Sequence, residues 1–247
     1  MRAVMLAAGV GARLGGDDRP PKILLEFGGR TLLRRHIEIL RAAGVRELLL
    51  VTGYRAQAIE DEIVACAAGD FVRTVRNPDF TEGSIVSLWT ARAALTHGGD
   101  VLLMDGDVLY DHRMIDALLA TEHANCFLMD RDFEPGEEPV KLCIRDGGIV
   151  DFEKIVGDDH DDQGESVGFF RFSGDMAARL AACAEDDVTG GRRQLMYEHA
   201  IRELLLRDPG AFGFEDVTGL PWIEIDFRED LRRARDDILP YLKEPKT

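Results

Sequence analysis

Arg13 and Lys22 are two fixed cations that follow a turn of small residues, a layout suited to gripping a polyphosphate. They come after a short apolar run, Arg2 to Leu6, which leads straight into Ala7-Ala8-Gly9-Val10-Gly11-Ala12. Glycines let main-chain N–H groups approach anionic oxygens, and a helix beginning there would add its dipole. A loop with Gly15, Gly16, Pro20 and Pro21 then ends at Lys22. Arg13 offers a planar fork and Lys22 a compact point charge. Two common phosphate motifs do not fit. The dinucleotide fingerprint needs glycine where Leu14 stands, and a P-loop needs Ser or Thr where Ile23 stands. Without the two cations, the glycines would read as an ordinary strand-to-helix turn.

Carboxylates supply the complementary chemistry. Asp105 and Asp107 flank Gly106 at the end of the apolar run Asp100 to Met104. Open α/β sheets bind ligands beyond the carboxyl ends of their strands, and hard oxygen ligands there suit Mg²⁺. The plain alternative is a tight turn after a strand. In Trp222-Ile223-Glu224-Ile225-Asp226-Phe227, strand alternation puts Trp222, Glu224 and Asp226 on one face. Asp226 also precedes a helical segment, whose N-cap it would then be.

The 247-residue chain is long enough for one α/β domain with a substantial core, and its formal net charge is −16. That field opposes nucleic acid and anionic membranes, so neither is expected as a partner. A nucleoside triphosphate is anionic too, so local cations and a divalent metal would have to offset it. No apolar stretch reaches the roughly eighteen residues of a membrane span, and the apolar start is too short for a secretory segment. Cys66, Cys126, Cys143 and Cys183 form no CxxC pair, which favours free thiols in a reducing, cytoplasmic setting. The six histidines are equally dispersed and give no zinc signature.

Strand and helix signals alternate through the first half, which argues for a mostly parallel sheet with helices on both faces. Thr31 to Ala43 has one apolar helical face, Glu47 to Thr52 reads as a strand buried on both sides, and Arg55 to Ala68 as a helix. Ser84 is placed to cap a helix reaching about Leu95. After Asn125 the rhythm changes to strands at Cys126 to Met129, Val140 to Ile144, Ile149 to Glu153 and Ser166 to Phe172. A hairpin is expected at Asp146-Gly147-Gly148. The acidic segments Phe133 to Pro139 and Gly157 to Glu165 are expected as solvated loops. Arg228 to Leu242 reads as one final amphipathic helix. A single domain over 1–247 is expected, with about 130–172 as a candidate acceptor-binding lobe or lid.

LAAGVGARL at 6–14, the proline-lysine pair and FGGRTLL at 27–33 resemble the start of the sugar-phosphate nucleotidyltransferase superfamily. RNPDFTEGSIVSLWTAR, MDGD, KLCIRDGGIVDFEK, GESVGFF and WIEIDFREDLRRA extend the resemblance over essentially the whole chain. It is nearest to small cytidylyltransferases acting on phosphocholine, 2-aminoethylphosphonate or inositol 1-phosphate. The resemblance implies an α/β, Rossmann-like three-layer αβα nucleotidyltransferase (GT-A-like) fold, with a mostly parallel mixed sheet and an antiparallel addition. Leu6, Ala7, Ala8, Gly9 and Gly11 would contact the nucleotide, and Arg13 and Lys22 its phosphates. Gly83, Ser84 and Ser87 match a nucleotide-contacting segment. Asp107 and Asp226 match the Mg²⁺ carboxylates, with Asp105 beside them and Mn²⁺ as a substitute ion. Lys141 and Lys154 fall where related chains place lysines near the acceptor. The related loops are richer in Thr or Ser where this chain has Val10 and Ala12, so no side-chain hydroxyl acts at those positions.

The implied reaction joins CMP from CTP to a phosphorylated or phosphonylated small molecule and releases pyrophosphate. The attacking oxygen is already anionic, so alignment and charge neutralisation would carry the catalysis. A choline headgroup would want aromatic faces and carboxylates, and Tyr110, Trp222, Glu224 and Glu165 are the candidates. Phosphocholine leads narrowly over aminoethylphosphonate, inositol 1-phosphate and sugar 1-phosphates. A nucleotide-sugar glycosyltransferase and a non-catalytic nucleotide-binding regulatory domain are the rival classes. A homodimer is left open.

Overall fold

The computed structural model describes residues 1–15, 19–134, 136 and 139–245. The expected alternation appears as a nine-stranded sheet. The first half of the chain runs β1 (Arg2–Ala7), β2 (Glu26–Phe27), β3 (Arg30–Thr31), α1 (Leu32–Ala42), β4 (Leu48–Thr52), α2 (Ala56–Ala65) and β5 (Val72–Arg76). There follow α3 (Ser84–Thr90), α4 (Arg92–Leu95), β6 (Val101–Asp105), β7 (Val108–Tyr110) and α5 (Arg113–Ala120). β1 lies at the centre, parallel to β4 on one side and β6 on the other, and β5 extends the parallel part beyond β4.

The second half adds β8 (Cys126–Asp130), β9 (Lys141–Arg145), β10 (Gly148–Glu153), β11 (Asp162–Phe172), α6 (Gly174–Thr189), α7 (Tyr197–Arg207), β12 (Gly213–Asp216), β13 (Trp222–Glu224) and α8 (Arg228–Arg233). Two small two-stranded sheets, β2 with β3 and β7 with β13, stand beside the main one. β11 pairs antiparallel with β6, β8 and β9, so it joins the parallel half to the addition. β9, β10 and β11 therefore continue the main sheet. Among the described residues, no helix is long and apolar enough to cross a membrane.

Strand alternation splits the core between the two faces of the sheet. Ala3, Met5, Leu48, Leu50, Leu102 and Met104 face α1, α2 and α5, whereas Val4, Val51, Val101 and Leu103 face α3, α4, α6 and α7. α1 starts where the Thr31 hydroxyl accepts a hydrogen bond from Arg34 N at 3.0 Å, a side-chain cap for an otherwise unpaired N–H. Beyond it, Gly44 takes the left-handed φ of 76° that a helix exit favours. Phe127, Phe152 and Phe170 meet with ring centroids 5.1–6.0 Å apart, and Tyr197 meets Phe170 at 6.2 Å. This cluster docks the start of α7 on the antiparallel strands.

Several expectations are corrected. Ser84 is the first residue of α3 and Gly83 is its N-cap. The acidic run 157–165 is not all loop, because Asp162–Glu165 pair in register with Ile144–Lys141. The last helix breaks after Arg233 into a π turn (Ala234–Ile238) and a 3-10 turn (Leu239–Tyr241). Pro240 lacks the N–H that an α-helix would need there, and its ring blocks the preceding turn. The expected hairpin forms, with Asp146 and Gly147 at φ 52° and 78°.

Gly83 is where the two halves press together. A Cβ at this position would lie 2.1 Å from Leu195 O, and Gly83 N donates to Arg193 O at 2.9 Å. Gly83→Ala is expected to lower stability by about 1–3 kcal/mol, the usual cost of forcing atoms into a packed contact. Chemical denaturation of wild type and variant checks this, and an unchanged midpoint would show that the contact yields freely.

Candidate functional site

The glycine-rich turn does not lead into a long helix. Gly11 takes a left-handed φ of 65° and a single 3-10 turn, Ala12–Leu14, follows, so main-chain N–H groups rather than a full helix dipole are offered. A second 3-10 turn starts at Lys22 and fixes its backbone. A Cβ on Gly11 would meet Lys22 Cγ at 3.1 Å, so the glycine admits the lysine stem. Gly16 lies outside the described residues.

The carboxylates are brought in by backbone pairing. Gly106 N donates to Leu6 O at 3.1 Å, which ties the β6–β7 turn to the end of β1. β13 pairs antiparallel with β7, with Glu224 opposite Val108, and Ile225 N donates to Asp107 O at 3.0 Å. Asp226 thereby stands next to Asp107. Its side chain does not cap α8. The Asp230 carboxylate instead accepts from Asp226 N at 2.9 Å and Phe227 N at 2.6 Å, which leaves the Asp226 oxygens facing the cleft.

Lys22 bridges the two acids, with Nζ 2.9 Å from Asp107 Oδ2 and 2.5 Å from Asp226 Oδ1. Burial alone would depress its ammonium, but the charges of Asp107 and then Asp226 outweigh it and hold the pKa above the ordinary lysine value. Arg13 Nη1 lies 3.4 Å from Asp226 Oδ2, with its guanidinium 5.6 Å from the Phe227 ring centre. Asp107, Glu224 and Asp226 each offer an oxygen within 4.8 Å of the others. An all-oxygen set of this spacing suits a hard divalent ion, and Lys22 Nζ already shows that a cation fits between two of its members.

These residues line a cavity of about 660 Å³ beyond the carboxyl ends of β1 and β6. Leu6, Ala8, Gly9, Gly11, Arg13, Lys22, Gly83, Ser84, Ser87 and Asp105 share its wall with Asp107, Lys154, Glu165, Glu224 and Asp226. The serine hydroxyls already have partners. Ser84 Oγ accepts from Tyr197 N at 2.8 Å, and Ser87 Oγ accepts from Asn77 Nδ2 at 3.0 Å.

Four expected site residues lie outside the lining. Ala7 is the last residue of β1, with its methyl group under Gly106. Tyr110 is turned into the core, edge-on to Phe169 at 4.7 Å and 3.4 Å from His36 Nδ1. Trp222 donates its indole N–H to Asp130 Oδ2 at 2.7 Å. Lys141 is buried and donates to Gly136 O and Lys154 O at 2.7 and 2.6 Å, so it braces Lys154 from behind.

Sequence reasoning missed two residues that line the cleft, Tyr197 and Glu198, and a third, His36, that supports it from the core. Tyr197 donates its hydroxyl to Asp105 Oδ2 at 2.7 Å. Burial, then the Asp107 charge, holds the Asp105 carboxyl well above the usual range, and the tyrosine bond only partly offsets this. Glu198 lines the cavity with Oε2 buried and without a hydrogen bond, and burial pushes its pKa up to about 7. Glu165 is also pushed up to about 7, by burial and then by Asp130. Glu224 keeps contact with water in the cleft, yet the surrounding walls, then Asp107 and Asp226, raise its pKa well above the ordinary value. His36, the third, is fully buried under the acidic turn with Nε2 3.2 Å from Gly106 O, and burial lowers its pKa to about 4. It is a neutral prop for that turn. Helical periodicity assigned none of these three a cleft, because the docking of α1 and α7 decides where they point.

Residues 3–203 match the MobA-like NTP transferase domain, and the chain belongs to that family. It is 29% identical over 241 residues to the CMP-5'-(3-aminopropyl)phosphonate synthase of Streptomyces rubellomurinus, covering 95% of this chain and 38% of that protein. It is 30% identical over 243 residues to the bifunctional IPC transferase and DIPP synthase of Rubrobacter xylanophilus, covering 97% and 52%. The chain thus spans about half or less of either relative. The inositol-1-phosphate CTP transferase of T. maritima shares the fold, with a TM-score of 0.76 at 19% identity over 100% of this chain and 97% of that one.

Lys22 and a divalent ion compete for the same oxygens. Lys22→Met is therefore expected to bind Mg²⁺ more tightly than wild type when nucleotide is absent, although it should lose nucleotide affinity. Calorimetric Mg²⁺ titration checks this, and weaker Mg²⁺ binding in the variant would contradict the stand-in role of the lysine.

Proposed function

We propose that the chain transfers CMP from CTP to a small zwitterionic acceptor carrying a phosphate or phosphonate and a primary ammonium. The observation that carries this reading is that Lys154, whose charge acts on the Glu198 carboxyl, lines with it the cleft that also holds Lys22, Asp107 and Asp226. A lysine beside carboxylates matches a molecule with an anionic end and a cationic end. Family membership supports nucleotide chemistry, and the aminopropylphosphonate named for the Streptomyces relative supports the acceptor class.

The order of acceptors shifts from the one the sequence favoured. Quaternary ammonium recognition draws on aromatic faces, and Tyr110 and Trp222 are both engaged elsewhere. Of the rings lining the cavity, Phe152, Phe170 and Tyr197 pack on one another, with Phe80 beside them on the wall. A primary ammonium instead donates hydrogen bonds directly to a carboxylate such as Glu198. We therefore place aminoalkylphosphonates ahead of phosphocholine and inositol 1-phosphate.

The acceptor's own anionic oxygen attacks the α-phosphorus in line, so no side chain needs to remove a proton. The glycine turn holds the triphosphate against main-chain N–H groups, and Arg13 and Lys22 neutralise charge that grows on the departing pyrophosphate. Mg²⁺, for which Asp107, Glu224 and Asp226 provide the ligands, would supply charge neutralisation and orientation of phosphate oxygens. Tyr197 fixes Asp105, and Lys154 with Glu198 sets the direction from which the acceptor enters.

Pyrophosphate release from CTP with a panel of 2-aminoethylphosphonate, 3-aminopropylphosphonate, phosphocholine and inositol 1-phosphate tests the reading. The aminoalkylphosphonates should give the highest kcat/KM. Asp226→Asn should lower kcat at least about 100-fold while leaving the unfolding midpoint nearly unchanged, because the lost charge serves to hold the divalent ion rather than the core. Chelation by EDTA should stop release and Mg²⁺ restore it. Turnover confined to acceptors without an amine would defeat the ammonium assignment.

A pH dependence follows from Glu198. Its carboxyl is largely neutral below about 7 and ionised above it, so ammonium binding strengthens as pH rises through that value. KM for an aminoalkylphosphonate should fall between pH 6 and 8. Glu198→Gln should flatten the Glu198 component of that change and raise KM about 10–100-fold at pH 8, the range for losing a charged hydrogen bond. Parallel profiles of the two proteins separate it from ionisation of the phosphonate itself, and identical profiles would remove Glu198 from the acceptor site.

A further inference from the structure

The dispersed histidines give no metal signature in the sequence, yet the fold gathers one of them with two acids away from the cleft. Asp187 lies in the last turn of α6, and His199 and Glu203 stand four residues apart on one face of α7. A carboxylate oxygen of Asp187, a ring nitrogen of His199 and a carboxylate oxygen of Glu203 lie within 4.8 Å of one another.

Asp187 is the independent observation that makes this more than a chance cluster. Its side chain is 0% exposed. Arg192 Nε holds Oδ1 at 2.8 Å, but Oδ2 accepts no hydrogen bond. The ring nitrogen Nδ1 of His199 is 3.6 Å from that oxygen, too far for a hydrogen bond. A buried anionic oxygen without a donor is costly, and a bound cation between it and the imidazole removes that cost.

We propose that Asp187, His199 and Glu203 form a second divalent-metal site, for a borderline ion such as Zn²⁺ or Co²⁺. One imidazole and two carboxylates make three protein ligands, and water completes a four-coordinate shell. The imidazole selects against Mg²⁺, which prefers oxygen ligands throughout. His199 would bind as the neutral ring through Nδ1, the nitrogen that already faces Asp187. Glu203, now paired with Arg207 one helical turn on, would turn one oxygen to the ion.

Occupancy would staple the end of α6 to α7 and close the segment between them. Arg192 N donates to Asp187 O at 2.8 Å, and the residues after it carry the contacts of Arg193 O and Leu195 O with Gly83 N and Ile85 N. The site would thus brace the loop behind α3, one wall of the cleft, without touching the reacting groups.

The test uses the full, untagged chain carrying Asp107→Asn, Glu224→Gln and Asp226→Asn, which removes the three cleft carboxylates that could hold an ion together. Zn²⁺ is titrated calorimetrically in millimolar Mg²⁺, and Co²⁺ absorption reports an imidazole ligand. One equivalent per chain and a raised unfolding midpoint are expected. Adding His199→Ala should weaken binding at least about tenfold and abolish the Co²⁺ signal. His199 is exposed, so this variant should fold, and circular dichroism verifies that it does. Glu203→Gln, close in shape to the native side chain, should weaken binding in the same direction. No saturable Zn²⁺ binding, or affinity unchanged by His199→Ala, overturns the proposal.

Discussion

Lys22, held between Asp107 and Asp226, is the contact on which the geometry of the cleft depends. Its partners are 85 and 204 residues away in sequence, so the interaction joins the first loop, the β6–β7 turn and the strand before α8. Each partner arrives on a constrained backbone: a 3-10 turn, a turn tied to β1 and a strand paired with β7. Two carboxylates at such close range repel unless a cation lies between them, and removing the cation leaves buried charge uncompensated. The same ammonium cannot neutralise these acids and a triphosphate at once. A second cation would be needed for a nucleotide to enter, which is the physical argument for the divalent ion proposed at this cleft.

The antiparallel addition completes the positioning of the acids. β11 shifts register between Ser166 and Phe170, and Gly168 at φ 77° lies in that irregular stretch. A Cβ there would stand 2.3 Å from Asp105 Oδ2, so the glycine makes room for the carboxylate that Tyr197 then holds. The aromatic cluster around Phe170 sets α7 on the sheet, and through it both Tyr197 and Glu198. One strand therefore connects the nucleotide half, built on β1 and β6, with the carboxylate proposed for the acceptor.

The parallel half was legible because its signals are local. Apolar runs without alternation mark β1, β4 and β6, and a 3.6-residue stripe marks α1. Gly9, Gly11, Lys22, Asp107 and Asp226 could be picked out because their types are unusual for plain packing. Tyr110 and Trp222 could not be placed, since alternation says that two sides exist and only the β7–β13 pairing says which one faces the core. Asp226 as a helix cap was equally allowed by sequence, but the N-cap position falls on Phe227, whose N–H is held by the Asp230 carboxylate three residues on. Glu198 sits in a helix with several acids nearby, and nothing in its spacing separates it from a solvated one.

Charge balance limits what the cleft can accept. Asp105, Asp107, Glu165, Glu198, Glu224 and Asp226 share its wall with Arg13, Lys22 and Lys154. Burial keeps Glu165 and Glu198 near half-ionised at neutral pH, which lightens the excess but does not remove it. A nucleoside triphosphate alone would worsen the imbalance. Together with a divalent ion it would satisfy the end built by Lys22, Asp107, Glu224 and Asp226, but the Glu198 carboxylate would still lack a cationic donor at Oε2. An acceptor with a phosphate and only hydroxyl groups brings no cation to it. The proposed acceptor, with an ammonium, would do so, and its anionic end would face Lys154 on the same cavity wall.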